Sequence, residues 1–308
     1  MAIAGIIAEY NPFHNGHGYH LEQAKARTGA DALVVVLSGD FVQRGEPAIF
    51  SKEARAKAAI TFGVDLVVQL PTLFSIQSAE LFAKGGVMTL GLLGVKRLVY
   101  GTLQPELTYT PHREETIQQS MKSGDSYAKA IEKSMDMGYL DANTRLGFAY
   151  QKAIRNLRLP MEVVPMLRSP WATLQVPLEE QNATSIRYKI QNGEDPVGIQ
   201  MPLESTYTMD PAVLLYYLLR FTDKDFLTYP YAEPGLRERL LQTYDEGISF
   251  EVWIKKARSR RHTKARIRRF CLHVLFDVQK DTVKQYSELP MDAAIPLAWN
   301  ENGQNILR

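Results

Sequence analysis

Short apolar runs alternate with longer amphipathic or alanine-rich segments through the first half of the chain. Four of these runs have the length and the Ile, Val and Leu content of buried strands, and they cover residues 3–8, 32–37, 64–70 and 95–100. The segments between them open at capping residues such as Ser51 and Ser78, which predicts helices. A further helix is predicted over 145–155 and a fifth strand over 161–167. Alternating strands and helices predict an α/β, Rossmann-like fold with a parallel sheet.

The second half of the chain has a different pattern. Helical periodicity recurs without intervening strands at residues 210–221, 235–244, 250–257 and 263–278. A length of 308 residues is typical of about two domains, and residues 196–211 are the best candidate for the boundary. We therefore predict an α/β domain over 1–200, followed by a mostly helical, basic domain over 201–308.

Positive charge is concentrated in one segment of the helical half. Nine of the fifteen residues 255–269 are Lys or Arg and none is acidic. A solvated helix face normally mixes charge signs, so this run favours a polyanion such as nucleic acid as partner. A merely charged surface and an acidic protein partner remain alternatives. The predicted RNA contacts are Arg260, Arg261, Lys264, Arg266, Arg268 and Arg269.

Composition narrows the cellular context. No apolar stretch reaches the roughly 18–20 residues that a membrane-spanning helix needs, and the N-terminus lacks the charged region of a signal peptide. The only cysteine, Cys271, has no disulfide partner within the chain and lies among apolar residues, so we expect a buried thiol. These features predict a cytoplasmic protein without membrane association.

The clearest candidate chemistry lies in the turn after the first predicted strand, Asn-Pro-Phe-His-Asn-Gly-His at residues 11–17. Free backbone N–H groups and the positive end of the following helix dipole make this turn a ready anion site. His14 and His17 are three residues apart and face the same way, and Gly16 allows close approach to the backbone. The layout suits a nucleoside triphosphate. A metal pair with His20 and ordinary surface histidines are the alternatives, although a zinc site needs three or four ligands.

Further polar residues follow the other predicted strands, and in a parallel sheet these ends share the ligand-binding edge. Gly101 and Arg168 end two of the strands. Candidate contacts to phosphate or RNA are Asp40, Lys52, Arg55, Ser185 and Arg187. Each also has a simpler interpretation, since Asp forms turns, Ser caps helices, and Lys and Arg occur on helix surfaces.

Five motifs together resemble one family. The histidine turn is the H-x-G-H signature of adenylyl-transferring nucleotidyltransferases, and the motifs at residues 9–17, 38–48, 64–71, 184–187 and 263–269 resemble the bacterial tRNA(Met) cytidine acetate ligase family. The resemblance spans essentially the whole chain. It implies an ATP-dependent enzyme that activates free acetate, without acetyl-CoA, as acetyl-adenylate. The acetyl group then passes to N4 of the wobble cytidine of elongator tRNA(Met), with AMP and pyrophosphate as products.

The resemblance also implies the residues of the ATP site. His14 and His17 would be catalytic, and Mg²⁺ would arrive bound to the nucleotide. The implied ATP contacts are Ile7, Ala8, Glu9, Tyr10, Asn11, Pro12, Phe13, His14, Asn15, Gly16, His17, Gly18, Tyr19, His20, Gly101, Asn143 and Arg168.

Several positions depart from the family pattern. Gln69 stands where members usually carry an acidic residue, Thr102 and Leu103 replace a Ser-Glu pair, and Thr144 replaces the second Asn of an Asn-Asn pair. Members also tend to continue past the segment that resembles residues 296–307. Two other functions therefore stay open at this point: a small-molecule adenylyltransferase and a catalytically impaired nucleotide- or RNA-binding homologue. The basic helical half argues against the first.

Overall fold

A computed structural model describes residues 1–125, 127–135, 140–168, 183–194, 209–259 and 261–308. The elements up to residue 168 are β1 (Ile3–Ala8), α1 (Asn15–Thr28), β2 (Ala32–Ser38), β3 (Phe41–Val42), β4 (Glu46–Pro47), α2 (Lys52–Thr61), β5 (Leu66–Leu70), α3 (Thr72–Ser75), α4 (Ala79–Leu92), β6 (Arg97–Thr102), α5 (Pro111–Lys122), α6 (Tyr127–Ser134), α7 (Ala142–Asn156) and β7 (Glu162–Leu167). The predicted strands and helices of this region are confirmed.

The later elements are mostly helices. They are α8 (Ala183–Gln191), α9 (Pro211–Arg220), α10 (Asp223–Leu227), α11 (Leu236–Thr243), α12 (Phe250–Ala257), α13 (Lys264–Leu275), α14 (Lys280–Glu288), β8 (Ile295–Trp299) and α15 (Glu301–Ile306). The four helical runs predicted from periodicity correspond to α9, α11, α12 and α13. Most of the predicted boundary, residues 196–211, lies outside the described residues, and the division at residue 200 stays a prediction.

The sheet has the order β7-β6-β1-β2-β5-β8. β1 pairs in parallel with both β2 and β6, and the parallel pairs β2–β5 and β6–β7 extend the sheet on either side. The chain moves outward from β1 to β2 and β5, and then crosses back to β6 on the other side of β1. Ligands of open α/β sheets bind at the carboxyl ends of the strands, next to such a reversal.

The strands at the centre of the sheet are apolar because helices cover both faces. Every residue of β2 is buried, and its side chains contribute alternately to two apolar clusters. Val34 and Val36 pack with α4 and α7 on one face, whereas Leu33 and Val35 pack with α1 and α2 on the other. The sheet is therefore a rigid base whose carboxyl edge presents the connecting loops.

The last strand was not predicted. β8 pairs antiparallel with β5, so residues 295–299 join the sheet of the first half rather than the helical half. The segment is only five residues long and contains Pro296, which weakens its strand signal. An edge strand accommodates this proline because one side of an edge strand needs no ladder hydrogen bond. The sheet is consequently mixed, with one antiparallel edge.

The helical half has its own core and also contacts the first half through buried polar groups. Trp253, Phe270 and Cys271 are fully buried in this core, and burial raises the pKa of the Cys271 thiol, as expected for a structural cysteine. At the contact between the halves, Gln77 Nε2 lies 2.9 Å from His273 Nε2, and the Tyr231 hydroxyl donates to Gln77 Oε1 at 2.9 Å. None of the described helices is both long and apolar enough to cross a bilayer.

Candidate active site

A cavity of about 450 Å³ opens at the carboxyl edge of the sheet, where β1, β6 and β7 end. Its size falls within the range of about 300–1,000 Å³ that is typical of small-molecule sites. The first turns of α1, α7 and α8 also line it. Three helices thus begin beside one space, and the positive ends of their dipoles favour an anionic ligand there.

The histidine turn folds as the N-cap of α1. His14 has extended backbone angles, and its Nδ1 accepts a hydrogen bond from the Gly16 amide at 3.1 Å. His17 Nδ1 accepts from the His14 amide at 3.3 Å, and the two imidazole rings stack with centroids 3.8 Å apart. The two side chains form a reciprocal capping box, a role usually filled by Ser or Thr with Glu. The sequence H-x-G-H therefore starts the helix as well as lining the cavity.

These hydrogen bonds fix which ring nitrogen carries the proton. A neutral imidazole has one donor and one acceptor nitrogen, and Nδ1 is the acceptor in both His14 and His17. Burial, together with the charge of Arg168, lowers the pKa of His14 to about 4 and also lowers the pKa of His17. At neutral pH both rings are uncharged and present Nε2–H as a hydrogen-bond donor.

Gly101, His20 and Arg168 meet in another part of the cavity wall. An added Cβ at Gly101 would lie 3.1 Å from Cγ of Arg168 and 3.6 Å from Nε2 of His20, so glycine permits this close approach. His20 Nε2 is buried and has no hydrogen-bond partner within the described part of the chain. Burial and Arg168 lower the pKa of His20 to about 4. Such an unsatisfied buried nitrogen is a suitable partner for a polar ligand atom.

Asn143 lines the cavity from the first turn of α7, where Asp141 caps the helix by accepting from the Asn143 amide at 2.9 Å. Behind it, the hydroxyls of Thr102 and Thr144 hydrogen-bond to each other. These are two of the departures from the family pattern, and they meet in a buried contact that joins β6 to α7. Of the other departures, Leu103 is exposed, whereas the Gln69 side chain packs against Gly39.

The cavity wall contains most of the predicted ATP contacts but not all of them. Those that line it are Ile7, Ala8, Glu9, Tyr10, Asn11, His14, Gly16, His17, Tyr19, His20, Gly101, Asn143 and Arg168. Four others do not line it: Pro12, Phe13, Asn15 and Gly18. Phe13 is fully buried in the apolar cluster beneath α1, and Gly18 packs against the ring of Phe62. Phe13 and Gly18 therefore support the turn by packing.

The structure corrects the expectation that Arg55 contacts phosphate or RNA. The Arg55 side chain is fully buried. Its guanidinium donates to the backbone carbonyls of Phe50, Glu9, Ser38 and Gly39 at 2.5–3.0 Å. Arg55 thus joins three segments of the chain, those that carry Glu9, Ser38–Gly39 and Phe50. Apolar spacing alone could not show that this arginine points inward.

The remaining candidate phosphate contacts divide between two places. Asp40 and Lys52 form an ion pair at 2.6 Å outside the cavity wall. Arg187 and Thr184 line the cavity, whereas Ser185 does not. Arg187 donates to the Asn11 carbonyl at 2.7 Å and so joins α8 to the histidine turn.

Several residues of the cavity wall were not among the individual site candidates named from the sequence. Gln43 and Arg44 come from the loop between β3 and β4, and Tyr100, Leu146 and Tyr150 add an apolar and aromatic surface. Glu9 accepts from the Gln43 amide at 2.8 Å, and burial raises the pKa of the Glu9 carboxyl. The sequence signal for this loop is the Gln-Arg-Gly-Glu of the motif at residues 38–48.

The basic run is less exposed than its sequence suggested. Arg261 and Arg266 both pair with Glu233, and Arg268 pairs with Glu46 and Glu251. Arg269 donates to the Gln43 carbonyl at 3.2 Å and stacks on Tyr231, 4.9 Å from the ring centre. Four of the predicted RNA contacts therefore pair within the protein, which corrects the interpretation of the run as one free cationic face.

The structure describes only one of the other two predicted RNA contacts. Lys264 begins α13 and is partly exposed. Arg260 lies outside the described residues. RNA binding by this run stays a prediction.

Comparison with known proteins gives curated relatives and solved structures. The chain is 33% identical to tRNA(Met) cytidine acetate ligase of Anoxybacillus flavithermus, with 100% of this chain and 86% of the relative covered. It is 34% identical to the protein of the same name from Limosilactobacillus reuteri, with the same coverage. These names agree with the family resemblance seen in the motifs.

Solved structures agree as well. A crystal structure of Thermotoga maritima TmcAL without ligand has a TM-score of 0.84 and 25% identity, covering 100% of this chain and 83% of that one. A second, bound with alpha-thio ATP, has a TM-score of 0.78 and 26% identity, covering 100% and 82%. A family profile described as HIGH Nucleotidyl Transferase matches residues 1–308. The chain therefore belongs to the HIGH nucleotidyl transferase family.

Proposed function

We propose that this protein is an ATP-dependent tRNA(Met) cytidine acetate ligase. One observation carries the proposal: two neutral histidines whose Nδ1 atoms accept hydrogen bonds and whose Nε2–H groups are left as donors, three helix N-termini and Arg168 meet in one cavity. The curated relatives carry this enzyme's name over the full length of the chain. A tRNA substrate implies that the reaction takes place in the cytoplasm.

The first step forms acetyl-adenylate. An acetate oxygen attacks the α-phosphorus of ATP, the bond from that phosphorus to the bridging oxygen breaks, and pyrophosphate leaves with the electron pair. Negative charge grows on the phosphate oxygens during this step. His14 and His17 would donate Nε2–H to those oxygens, and Arg168 and the positive end of the α1 dipole would add positive charge. Preorganised donors of this kind usually supply the largest part of catalysis.

The cavity suits a nucleotide that carries its own Mg²⁺. Within the described residues, no group of three His, Cys, Asp or Glu side chains could hold a metal ion, and Glu9 is the only carboxylate on the described wall. Triphosphate oxygens and water are the ligands that Mg²⁺ prefers, and the ion would neutralise charge on the leaving pyrophosphate. The side chains of the wall would therefore contact the phosphates.

The second step transfers the acetyl group. The N4 amine of the wobble cytidine attacks the carbonyl carbon of acetyl-adenylate, the bond to the phosphate oxygen breaks, AMP leaves and N4 loses a proton. Elongator tRNA(Met) would contact the helical half, where Arg261 precedes α13 and Lys264 is its first residue. Contacts of this type supply affinity without reading sequence.

Exchange of labelled pyrophosphate into ATP tests the first step. We expect exchange that depends on acetate and does not need tRNA, because the adenylate forms before transfer. We also expect labelled acetyl-CoA without ATP to leave tRNA unlabelled. Exchange that is independent of acetate, or labelling from acetyl-CoA alone, would contradict the proposal. Arg27→Gln on the exposed end of α1 is a control variant that should behave as wild type.

A further inference from the structure

The loop between β3 and β4 connects the cavity to the helical half. Gln43 and Arg44 line the cavity from this loop, and the Gly45 amide closes its turn by donating to the Val42 carbonyl at 2.8 Å. None of the functional steps above uses this loop, although it belongs to the motif at residues 38–48.

Helix α13 packs directly on the loop. At Gly45, where φ is +76°, an added Cβ would lie 2.5 Å from the backbone nitrogen of Arg269, so the helix backbone is in close contact. Arg268 forms an ion pair with Glu46 at 2.7 Å, and both side chains are largely buried. Arg269 donates to the Gln43 carbonyl at 3.2 Å. The residues on both sides of Arg44 are therefore held by one helix.

Arg44 itself has no such contact among the described residues. Its side chain is exposed, and it forms no hydrogen bond or ion pair with the part of the chain that is described. The charged groups on the described wall are Arg44, Arg168, Arg187 and Glu9, three cations against one carboxylate. Arg187 and Arg44 repel each other, and their charges lower the pKa of the Glu9 carboxyl against the effect of burial. The excess of positive charge favours an anionic ligand.

We propose that Arg44 binds a phosphate group of the substrate and that α13 positions it through Arg268 and Arg269. The guanidinium fork matches phosphate oxygens, and a backbone fixed on both sides reduces the entropy lost on binding. The phosphate comes from ATP or from the tRNA backbone near the reacting cytidine, and this choice of sources rests on the proposed function. In this arrangement the helical half helps to build the nucleotide cavity.

Arg44→Gln tests the phosphate contact, with Arg27→Gln as the matched control on an exposed helix end. Two measurements separate the sources: equilibrium binding of ATP without acetate or tRNA, and binding of tRNA at several salt concentrations. A contact to ATP predicts about tenfold weaker ATP binding. A contact to RNA predicts unchanged ATP binding and a salt slope of log affinity that falls by about 1.

The ATP-binding and tRNA-binding measurements both test the proposal without requiring acetyl transfer. A wild-type protein that binds ATP and tRNA but forms no acetylcytidine would refute the proposed function while leaving Arg44 testable. An Arg44→Gln protein with both affinities equal to those of Arg27→Gln would overturn the phosphate contact.

A double-mutant cycle tests the positioning by α13. Arg268→Gln and Glu46→Gln remove opposite partners of the same ion pair. Each should weaken the binding of ATP or tRNA, whichever ligand Arg44 contacts, several-fold. Neither should weaken it further in the Arg44→Gln background, because both act through Arg44. Glu251→Gln is the control, since it removes the other partner of Arg268 and leaves Glu46 in place. A purely structural role would give equal losses in both backgrounds and would overturn the positioning.

Melting curves identify variants whose affinity falls because they unfold. If Arg268→Gln is unstable, Glu46→Gln provides the same comparison of affinity losses with and without Arg44. Arg268→Lys retains the charge and should recover part of the lost affinity.

Discussion

The replacement of His17 by Asn separates the two hydrogen bonds that this side chain offers. An Asn carboxamide oxygen reaches roughly the position of imidazole Nδ1, so it can accept from the His14 amide and keep the cap of α1. It has no group at the position of Nε2. The variant therefore removes the donor to phosphate while it retains the start of the helix.

The structure gives the expected size of each effect. Loss of one preorganised donor costs about 10²–10³-fold in rate, which corresponds to about 3–4 kcal/mol. The ring also contacts His14 and Tyr10, with centroids 3.8 and 4.8 Å away, so its removal should cost about 1 kcal/mol of stability. His17→Ala loses the cap as well, at about 1 kcal/mol more. His17 is partly buried, so the alanine variant affects packing as well as chemistry.

Acetate-dependent pyrophosphate exchange and the melting temperature are measured on the same preparations. We expect His17→Asn to melt within a few degrees of wild type and to lose most of its exchange. His17→Gln, which can place an amide donor near Nε2 but loses the cap acceptor, should keep more exchange and less stability. Near-normal exchange in a stable His17→Asn protein would refute the role of the Nε2 donor.

Three further predictions concern the buried histidines, Arg55 and the basic run. Because burial lowers the pKa of His14 and His20 to about 4, the unfolded chain binds more protons between pH 4 and 6.5. The free energy of unfolding should rise with pH across that window, by at most about 3 kcal/mol for each histidine, and a flat denaturation profile would contradict this. Arg55→Met should destabilise the fold by about 3 kcal/mol or more in chemical denaturation, because several buried carbonyls lose their donor; a loss below about 1 kcal/mol would contradict it. Neutralising Arg261 and Lys264 to Gln should lower the salt slope of tRNA binding and leave ATP affinity unchanged. An unchanged slope would move the RNA surface elsewhere.

The first half could be predicted because local and long-range signals agree there. Buried parallel strands need continuous apolar runs, and capped helices need polar first residues, so the five parallel strands and the long helices between them leave clear patterns. The two-residue strands β3 and β4 and the four-residue helix α3 are too short to leave one. The histidine turn could be assigned to the site for the same reason, since its position between β1 and α1 fixes its place at the carboxyl edge. β8 left no such pattern, because a five-residue edge strand that contains a proline has little periodicity.

Charge patterns were less informative than apolar patterns. The basic run contains no acidic residue, yet Glu46, Glu233 and Glu251 neutralise much of it from other parts of the chain. Arg55 shows the same effect, since its partners are backbone carbonyls that no sequence pattern identifies. Pairing between distant segments depends on the fold, so a charge in the sequence does not reveal whether it faces solvent.

Nucleoside analysis of the product tests the central claim most directly. Purified protein is incubated with ATP, Mg²⁺, labelled acetate and elongator tRNA(Met), and the tRNA is digested to nucleosides. A matched transcript with uridine at the wobble position is the control. The account predicts labelled N4-acetylcytidine from the first tRNA only, in an amount that depends on ATP. An unlabelled tRNA from a protein that binds ATP, or label that persists without ATP, would contradict it.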